Sequence, residues 1–197
     1  MALTLSKNQT ISLEKTAGAT LTKVSMGLGW DPVKKGGFLG KLLGGGGGDI
    51  DLDASCLILD ADKQALDIVW FKQLKSKDGS INHSGDNRTG EGDGDDETIH
   101  VNLADLPSAA KYLVFTVNSF TGQTFDQVEN AYCRIVNGSN KNELARFNLA
   151  EKGRHTGVLM AYMTRSGSDW NLTTLGIVAS GRNVTDLVAD AARVITA

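Results

Sequence analysis

The chain is short of cysteine, of basic clusters and of long apolar runs, and each shortage excludes a class of protein. Only Cys56 and Cys133 occur in 197 residues, far apart and outside any CxxC spacing. That pattern offers neither a disulfide framework nor a zinc site, and it reads as two buried or free thiols in a reducing compartment. No apolar stretch approaches the roughly 20 residues that cross a bilayer, so no transmembrane segment is expected. The opening MALTLSKNQTISLEK alternates apolar and polar residues and never builds a secretory h-region. A cytoplasmic location follows as the expectation. With a pI near 5.6 and no basic run, the chain lacks the positive footprint that direct nucleic-acid binding requires. His83, His100 and His155 are widely separated and no GxSxG elbow appears, so no catalytic residue is assigned and no enzyme is expected.

What is present is an ordinary globular composition, 41% hydrophobic and 22% charged, with length enough for one domain and a real core. The dominant period is two. Alternation runs through residues 21–30, 50–59, 65–74, 97–103, 112–120, 131–137, 143–149, 157–165 and 169–179, and also through LTLS and TISLEK near the start. Such runs, rich in Val, Ile, Thr and aromatics and bounded by Gly, Asn, Asp and Ser, predict strands. Roughly ten of them with short turns predict an all-β, two-sheet sandwich. Residues 137–142 and 165–169 read as hairpin turns. TFDQVENAY (124–132) can open with a short helical turn. Val184, Leu187, Val188, Ala191 and Ile195 follow helical spacing after a candidate N-cap, Asn183, which predicts a C-terminal helix over one end or edge of a sheet.

Charge is distributed less evenly than the net −3 suggests. Residues 86–97, DNRTGEGDGDDE, hold six carboxylates (Asp86, Glu91, Asp93, Asp95, Asp96 and Glu97) against Arg88 alone. Removing that window leaves the rest of the chain slightly positive. Two carboxylates 4 Å apart repel by about 1 kcal/mol even in bulk water. The glycines at 85, 90, 92 and 94 nevertheless permit sharp turns that bring these groups together. A hard cation reverses the balance: Ca²⁺ takes about six to eight oxygens, carboxylate and carbonyl, in irregular geometry. Asp51 and Asp53, two apart on a predicted strand, leave the same face. Asp49 precedes them and Asp31 follows Trp30. If the strand ends meet the acidic window, there are oxygens for two calcium ions. The window is no EF-hand, since Arg88 and Glu91 fall where that loop needs a ligand and a glycine. A merely solvated acidic loop is the alternative. A second glycine-rich stretch, residues 36–48, reads as a flexible insertion with a small basic-apolar tip.

In this order, LGWD (28–31), DLDAS (51–55), KDGSINHSGDNRTGEGDGDDE (77–97), IHVNL (99–103), QTFDQVENAYCRIVN (123–137) and ELARFNL (143–149) resemble the TerD family of tellurium-resistance and stress-response proteins. The resemblance spans roughly residues 3–165. It implies a β-sandwich that binds calcium through acidic loops. Carried over by motif, Asp51 and Asp53 match the DLDAS acids. Asp86, Asn87, Glu91, Asp93, Asp95, Asp96 and Glu97 match the GDNxTGxGxGDDE element, and Asp31 matches the acid of GWD. The 36–48 insertion lengthens the usual connection between GWD and DLDAS, and the family's C-terminal motif survives here mainly as Arg165 and Trp170. The expected role is calcium-dependent ordering of loops that recruit other stress-response proteins, some of them membrane-associated. A nucleotide or small phosphorylated ligand, bridged by calcium through its phosphate, is the second reading.

Overall fold

The computed structural model describes residues 2–32, 51–85, 87, 94–149 and 152–195. In chain order its strands are β1 (Leu3–Thr4), β2 (Thr10–Ser12), β3 (Lys23–Pro32), β4 (Leu52–Leu59), β5 (Ala65–Val69), β6 (Ile81–His83) and β7 (Glu97–Asn102). They continue as β8 (Tyr112–Ser119), β9 (Val128–Asn137), β10 (Glu143–Asn148), β11 (Gly157–Ser166) and β12 (Asp169–Ala179). Helix α1 (Leu13–Ala17) follows β2 and helix α2 (Val188–Val194) closes the described chain. The strands form two six-stranded sheets. The first has the order β1-β10-β9-β3-β7-β6 and the second β2-β12-β11-β8-β4-β5. The pairs are antiparallel apart from β1 against β10.

The expected all-β sandwich is therefore found, with twelve described strands in place of roughly ten. The additional strands are short. β6 is three residues inside a hydrophilic stretch and carries almost no periodic signal. The TISLEK run stops alternating at Ser12, whose hydroxyl accepts from the Lys15 amide and starts α1, while Gly18 ends that helix with φ 70°. Both hairpins form where expected, and a single 3-10 turn, Phe125–Gln127, precedes β9.

Alternation divides the side chains. Val24, Met26, Leu28 and Trp30 of β3 meet Leu52, Ala54, Cys56 and Ile58 of β4, together with Leu113, Phe115 and Val117 of β8, in the core between the sheets. β4 and β8 are buried along their whole length, because their other face is covered too. Leu57, Leu59, Tyr112, Val114, Leu159, Tyr162 and Leu175 pack beneath Val184, Leu187, Ala191 and Ile195. The C-terminal helix thus covers the outer face of the second sheet, and not the end or edge that sequence reasoning gave it. The chain enters the helix through a 3-10 turn, Val184–Leu187, which starts at the expected cap: the Asn183 side chain accepts from the Thr185 amide, and Asp186 completes a capping box. No such helix covers the outer face of the first sheet among the described residues. Among the described residues no helix is long and apolar enough to cross a membrane.

Candidate functional site

The acidic residues meet at one end of the sandwich, where β3 finishes and β4 and β7 begin. Residues 94–96, which lead into β7, lie over the outer face of the first sheet, and the sequence makes room for them with glycine at period two. A Cβ on Gly27 would stand 2.1 Å from the Asp95 carboxylate, and one on Gly29 would stand 2.5 Å from the Tyr132 ring. Only glycine fits either position. Asp95 is gripped by Arg134, whose Nε and Nη2 donate to its two oxygens at 2.7 and 3.0 Å. Tyr132 donates to the Gly94 carbonyl at 2.7 Å. Arg134 also donates to Glu143, which pairs with Arg146, and the Arg146 guanidinium stacks over Tyr132 at 4.1 Å. This ladder of alternating charge fixes one side of the acidic loop to β9 and β10.

Asp96 and Glu97 fix the other side. Asp96 Oδ2 accepts from the Trp30 amide at 2.9 Å and Oδ1 from the Asn87 side-chain amide at 3.0 Å. Glu97, only 1% exposed, shares the inward side of β7 with Ile99 and Val101. Its Oε2 accepts from the Ala54 amide at 2.7 Å and its Oε1 from the Asn87 amide at 3.1 Å. His83 completes this edge. Its Nδ1 accepts from the Gly85 amide, so Nε2 carries the hydrogen and donates to the Ala54 carbonyl at 3.0 Å, with Glu97 Oε2 at 3.3 Å. Side chains from the first sheet thereby satisfy the exposed edge of β4 in the second.

The sequence-predicted ligands divide into two groups and a remainder. Asp31, Asn87, Asp95, Asp96 and Glu97 belong to the hydrogen-bonded loop, and Asp31 accepts from Asn130 at 2.8 Å. Asn130 lies at the irregularity in the β3–β9 pairing and holds φ 52°. Asp51 and Asp53, 7% and 3% exposed, sit at the same end. Alternation along β4 puts them on the side of Leu57 and Leu59, away from Glu97. Asp86, Glu91 and Asp93, like the 36–48 insertion, lie outside the described residues. Among the described residues no three His, Cys, Asp or Glu side chains gather into a metal-holding group.

Two observations mark the end as one that suits a cation. The Asp96 carboxyl is pushed above the usual carboxylate range, first by burial and then by the charges of Asp31, Glu97 and Asp95, against the lowering effect of the Trp30 amide. Among the described residues its hydrogen-bond partners are amides, not Lys or Arg. Opposite Asp53 in the β4–β8 register stands Asn118. Its Nδ2 donates to the Gly181 carbonyl at 3.2 Å, while its buried Oδ1 accepts no hydrogen bond among the described residues. A buried amide oxygen with no donor, next to a buried carboxylate, is the donor set a hard cation prefers. The residues present fit calcium chemistry: oxygen ligands only, partly held in place by backbone amides.

Sequence reasoning missed Gly27, Gly29, Tyr132, Arg134, Arg146, His83 and Asn118. The glycines had a signal, their period-two spacing on a strand. Tyr132 and Arg134 had a fainter one, as the polar face of AYCRIVN. Asn118 had none, because its partner Asp53 is 65 positions away in the chain. Beside Asp31 and Asp96 these residues also leave a cleft of about 530 Å³, floored by Trp30 and Tyr132 and walled by Arg146 and Asn148.

Comparison with known proteins matches this arrangement to one family. The TerD domain matches residues 1–190. The tellurium resistance protein TerZ of Serratia marcescens is 51% identical over 188 residues, covering 95% of this chain and 96% of its own. The stress response protein SCP2 of Bacillus subtilis is 41% identical, covering 96% and 98%. A crystal structure of a TerD homologue from Streptomyces coelicolor has the same fold, with a TM-score of 0.64 at 24% identity, covering 87% of this chain and 95% of that one. With sandwich, acidic loop and glycine cradle in place over nearly its full length, the chain belongs to the TerD family of tellurium-resistance and stress-response proteins.

Proposed function

We propose that the acidic end of the sandwich is a calcium site and that the protein is a non-enzymatic, calcium-responsive binding module of a stress or tellurium-resistance system. The observation that carries the reading is the crowding of Asp31, Asp95 and Glu97 around Asp96, a carboxyl with amide partners and a raised affinity for its proton. Two ions match the division of the ligands. One would use Asp31, Asp96 and the 86–97 loop, including Asp86, Asn87, Glu91 and Asp93. The other would use Asp51, Asp53 and the Asn118 oxygen. Bound calcium supplies charge neutralisation at this end. The chain's own residues supply position: Arg134 holds Asp95, and Trp30, Ala54 and Asn87 amides orient Asp96 and Glu97. Loops ordered in this way would present a surface to a partner protein. The names of TerZ, a tellurium resistance protein, and SCP2, a stress response protein, support a partner drawn from such a system.

Direct thiol chemistry on tellurium is disfavoured. Both cysteines are buried and free, and burial pushes the Cys56 thiol far up and the Cys133 thiol to about 12, so neither provides thiolate at neutral pH. Isothermal titration of the full chain with Ca²⁺ tests the reading. Asp96→Ala, which leaves the Arg134–Asp95 pair in place, should abolish at least one site, and wild-type affinity in that variant would contradict the assignment. A second reading, an anionic ligand bridged through calcium, is favoured by the cleft in which Arg146 faces Asp31 and Asp96. Nucleotide binding that appears only when Ca²⁺ is present would support it.

A further inference from the structure

The outer face of the first sheet has a second pole. β7 runs from Glu97, at the acidic end, to Asn102. At about 3.4 Å per residue its far end lies roughly 17 Å away. There the residues change sign. A cleft of about 300 Å³ is lined by Lys23, Ser25, Asn82, His100, Asn102 and Lys141, together with residues 79–80 and 138. Among the described residues no carboxylate lines it, and Asp105 stands behind Asn102. Neither lysine forms an ion pair among the described residues.

The two lysines come from distant parts of the chain and are brought together by construction. Lys23 opens β3, and Lys141 sits in the β9–β10 hairpin with φ 63°, a conformation that costs an ordinary side chain roughly 1–2 kcal/mol. The hairpin holds it there: Lys141 donates its amide to the Asn137 carbonyl at 2.9 Å, and Asn137 and Asn140 side chains accept from Ser139 and Asn142 amides. The hairpin tip is then clamped to β3. Gly138 donates to the Lys23 carbonyl at 2.9 Å, and a Cβ on Gly138 would stand 2.7 Å from the Lys23 Cβ. Solvated lysines that only aid solubility need no such clamp.

Directed donors accompany the charge. Ser25, buried between β9 and β7, has its Oγ 2.8 Å from His100 Nδ1. When the hydroxyl donates, His100 Nε2 keeps its hydrogen and is the donor left for a ligand. Burial, Lys141 and His83 all hold the imidazole below its usual value, so it serves as a neutral donor at pH 7. The Asn102 amide spends one of its two hydrogens on Asp105, while among the described residues the Asn82 amide has both available to the cleft. Cations and N–H donors around a small cavity without a carboxylate are the chemistry that recognises phosphate-like groups.

We propose that this cleft is a metal-independent site for a small oxyanion, with Lys23 and Lys141 supplying the charge and His100 and Asn82 the directed hydrogen bonds. It is separate from the calcium reading, and either can fail alone. The test is an NMR titration of the full chain at constant ionic strength, with a chelator present so that calcium-bridged binding cannot contribute. Inorganic phosphate, glycerol phosphate and tellurite serve as separate probes of free phosphate, esterified phosphate and another oxyanion. A saturating shift of the His100 imidazole and of the Lys23, Ser25, Gly138 and Lys141 amides is expected with at least one probe. The double variant Lys23→Gln/Lys141→Gly should weaken it at least about tenfold, or 1.4 kcal/mol. Glycine relieves the positive φ at 141, so this variant is expected to fold, and its unchanged core amide shifts would verify that. The proposal is overturned if no probe gives saturating shifts, if chloride produces the same ones, or if the folded double variant retains wild-type affinity.

Discussion

On the outer face of the second sheet, Leu57, Leu59, Tyr112, Val114 and Leu159 lie under Val184, Leu187, Ala191 and Ile195. On the outer face of the first, the corresponding positions are Gly27, Gly29, Tyr132, Arg134, Arg146, Ser25 and His100, and what covers part of them is an acidic loop. One face is held by area removed from water, which is non-directional and worth about 25 cal/mol per Å². The other is held by hydrogen bonds and ion pairs, which are directional and weaker in total but able to respond to a ligand. Stability belongs mainly to the covered face and most of the proposed chemistry to the open one, with Asp51, Asp53 and Asn118 the ligands that the covered side contributes at the acidic end.

Substitutions should separate the two faces by size of effect. The largest belongs to the covered face: Leu59→Ala, at a site with no solvent exposure and at the far end of β4 from Asp51 and Asp53, should cost about 2–5 kcal/mol in urea unfolding and leave calcium affinity near wild type. Next comes the glycine cradle. Gly29→Ala drives a methyl into Tyr132 and should cost about 1–3 kcal/mol. Unlike the leucine change, it should also weaken calcium binding, because the loop must lift. Arg134→Ala is smaller, about 1 kcal/mol, since the pair it breaks is partly exposed. Its clearer signature should be raised amide exchange at residues 94–96. A cost for Gly29→Ala with calcium affinity untouched would break the division between faces.

The smallest effect is a pH dependence. Hydrogen bonds from Arg146, then from Arg134, outweigh partial burial and hold Glu143 below its usual carboxylate value. A depressed carboxylate stabilises the folded chain above the unfolded pKa, near 4.5, and that contribution is lost as pH falls through the folded value. Arg146→Gln should therefore flatten the acid limb of the stability curve, by under about 1 kcal/mol because the cluster is partly exposed. Urea midpoints measured from neutral pH down through the acid range would check this.

Legibility followed the same divide. Period-two runs located β12 at residues 169–179 to the residue and β8 nearly so, because burial on a pleated strand writes itself locally. The three residues of β6 and the five of α1 were too short to establish any period. Helical spacing exposed the C-terminal helix but not what it covers, although Leu57, Leu59 and Val114 make β4 and β8 apolar on both faces, which a sheet open on one side does not require. The acids were legible by clustering. Their partition was not, since it depends on β4 lying between Glu97 and Asp53. Arg134, Tyr132 and Asn118 reach those acids only through pairing across the sheets, and no local pattern encodes it.

The proposed function rests on calcium uptake at the acidic end of the sandwich. Titration calorimetry of the full chain, paired with a thermal unfolding scan in the same buffer, tests it most directly. Saturable heat, a stoichiometry approaching two ions per chain, and a stabilisation of about 2.7 kcal/mol for each site at a hundredfold excess over its Kd are expected. No heat and an unchanged Tm in millimolar calcium would contradict it.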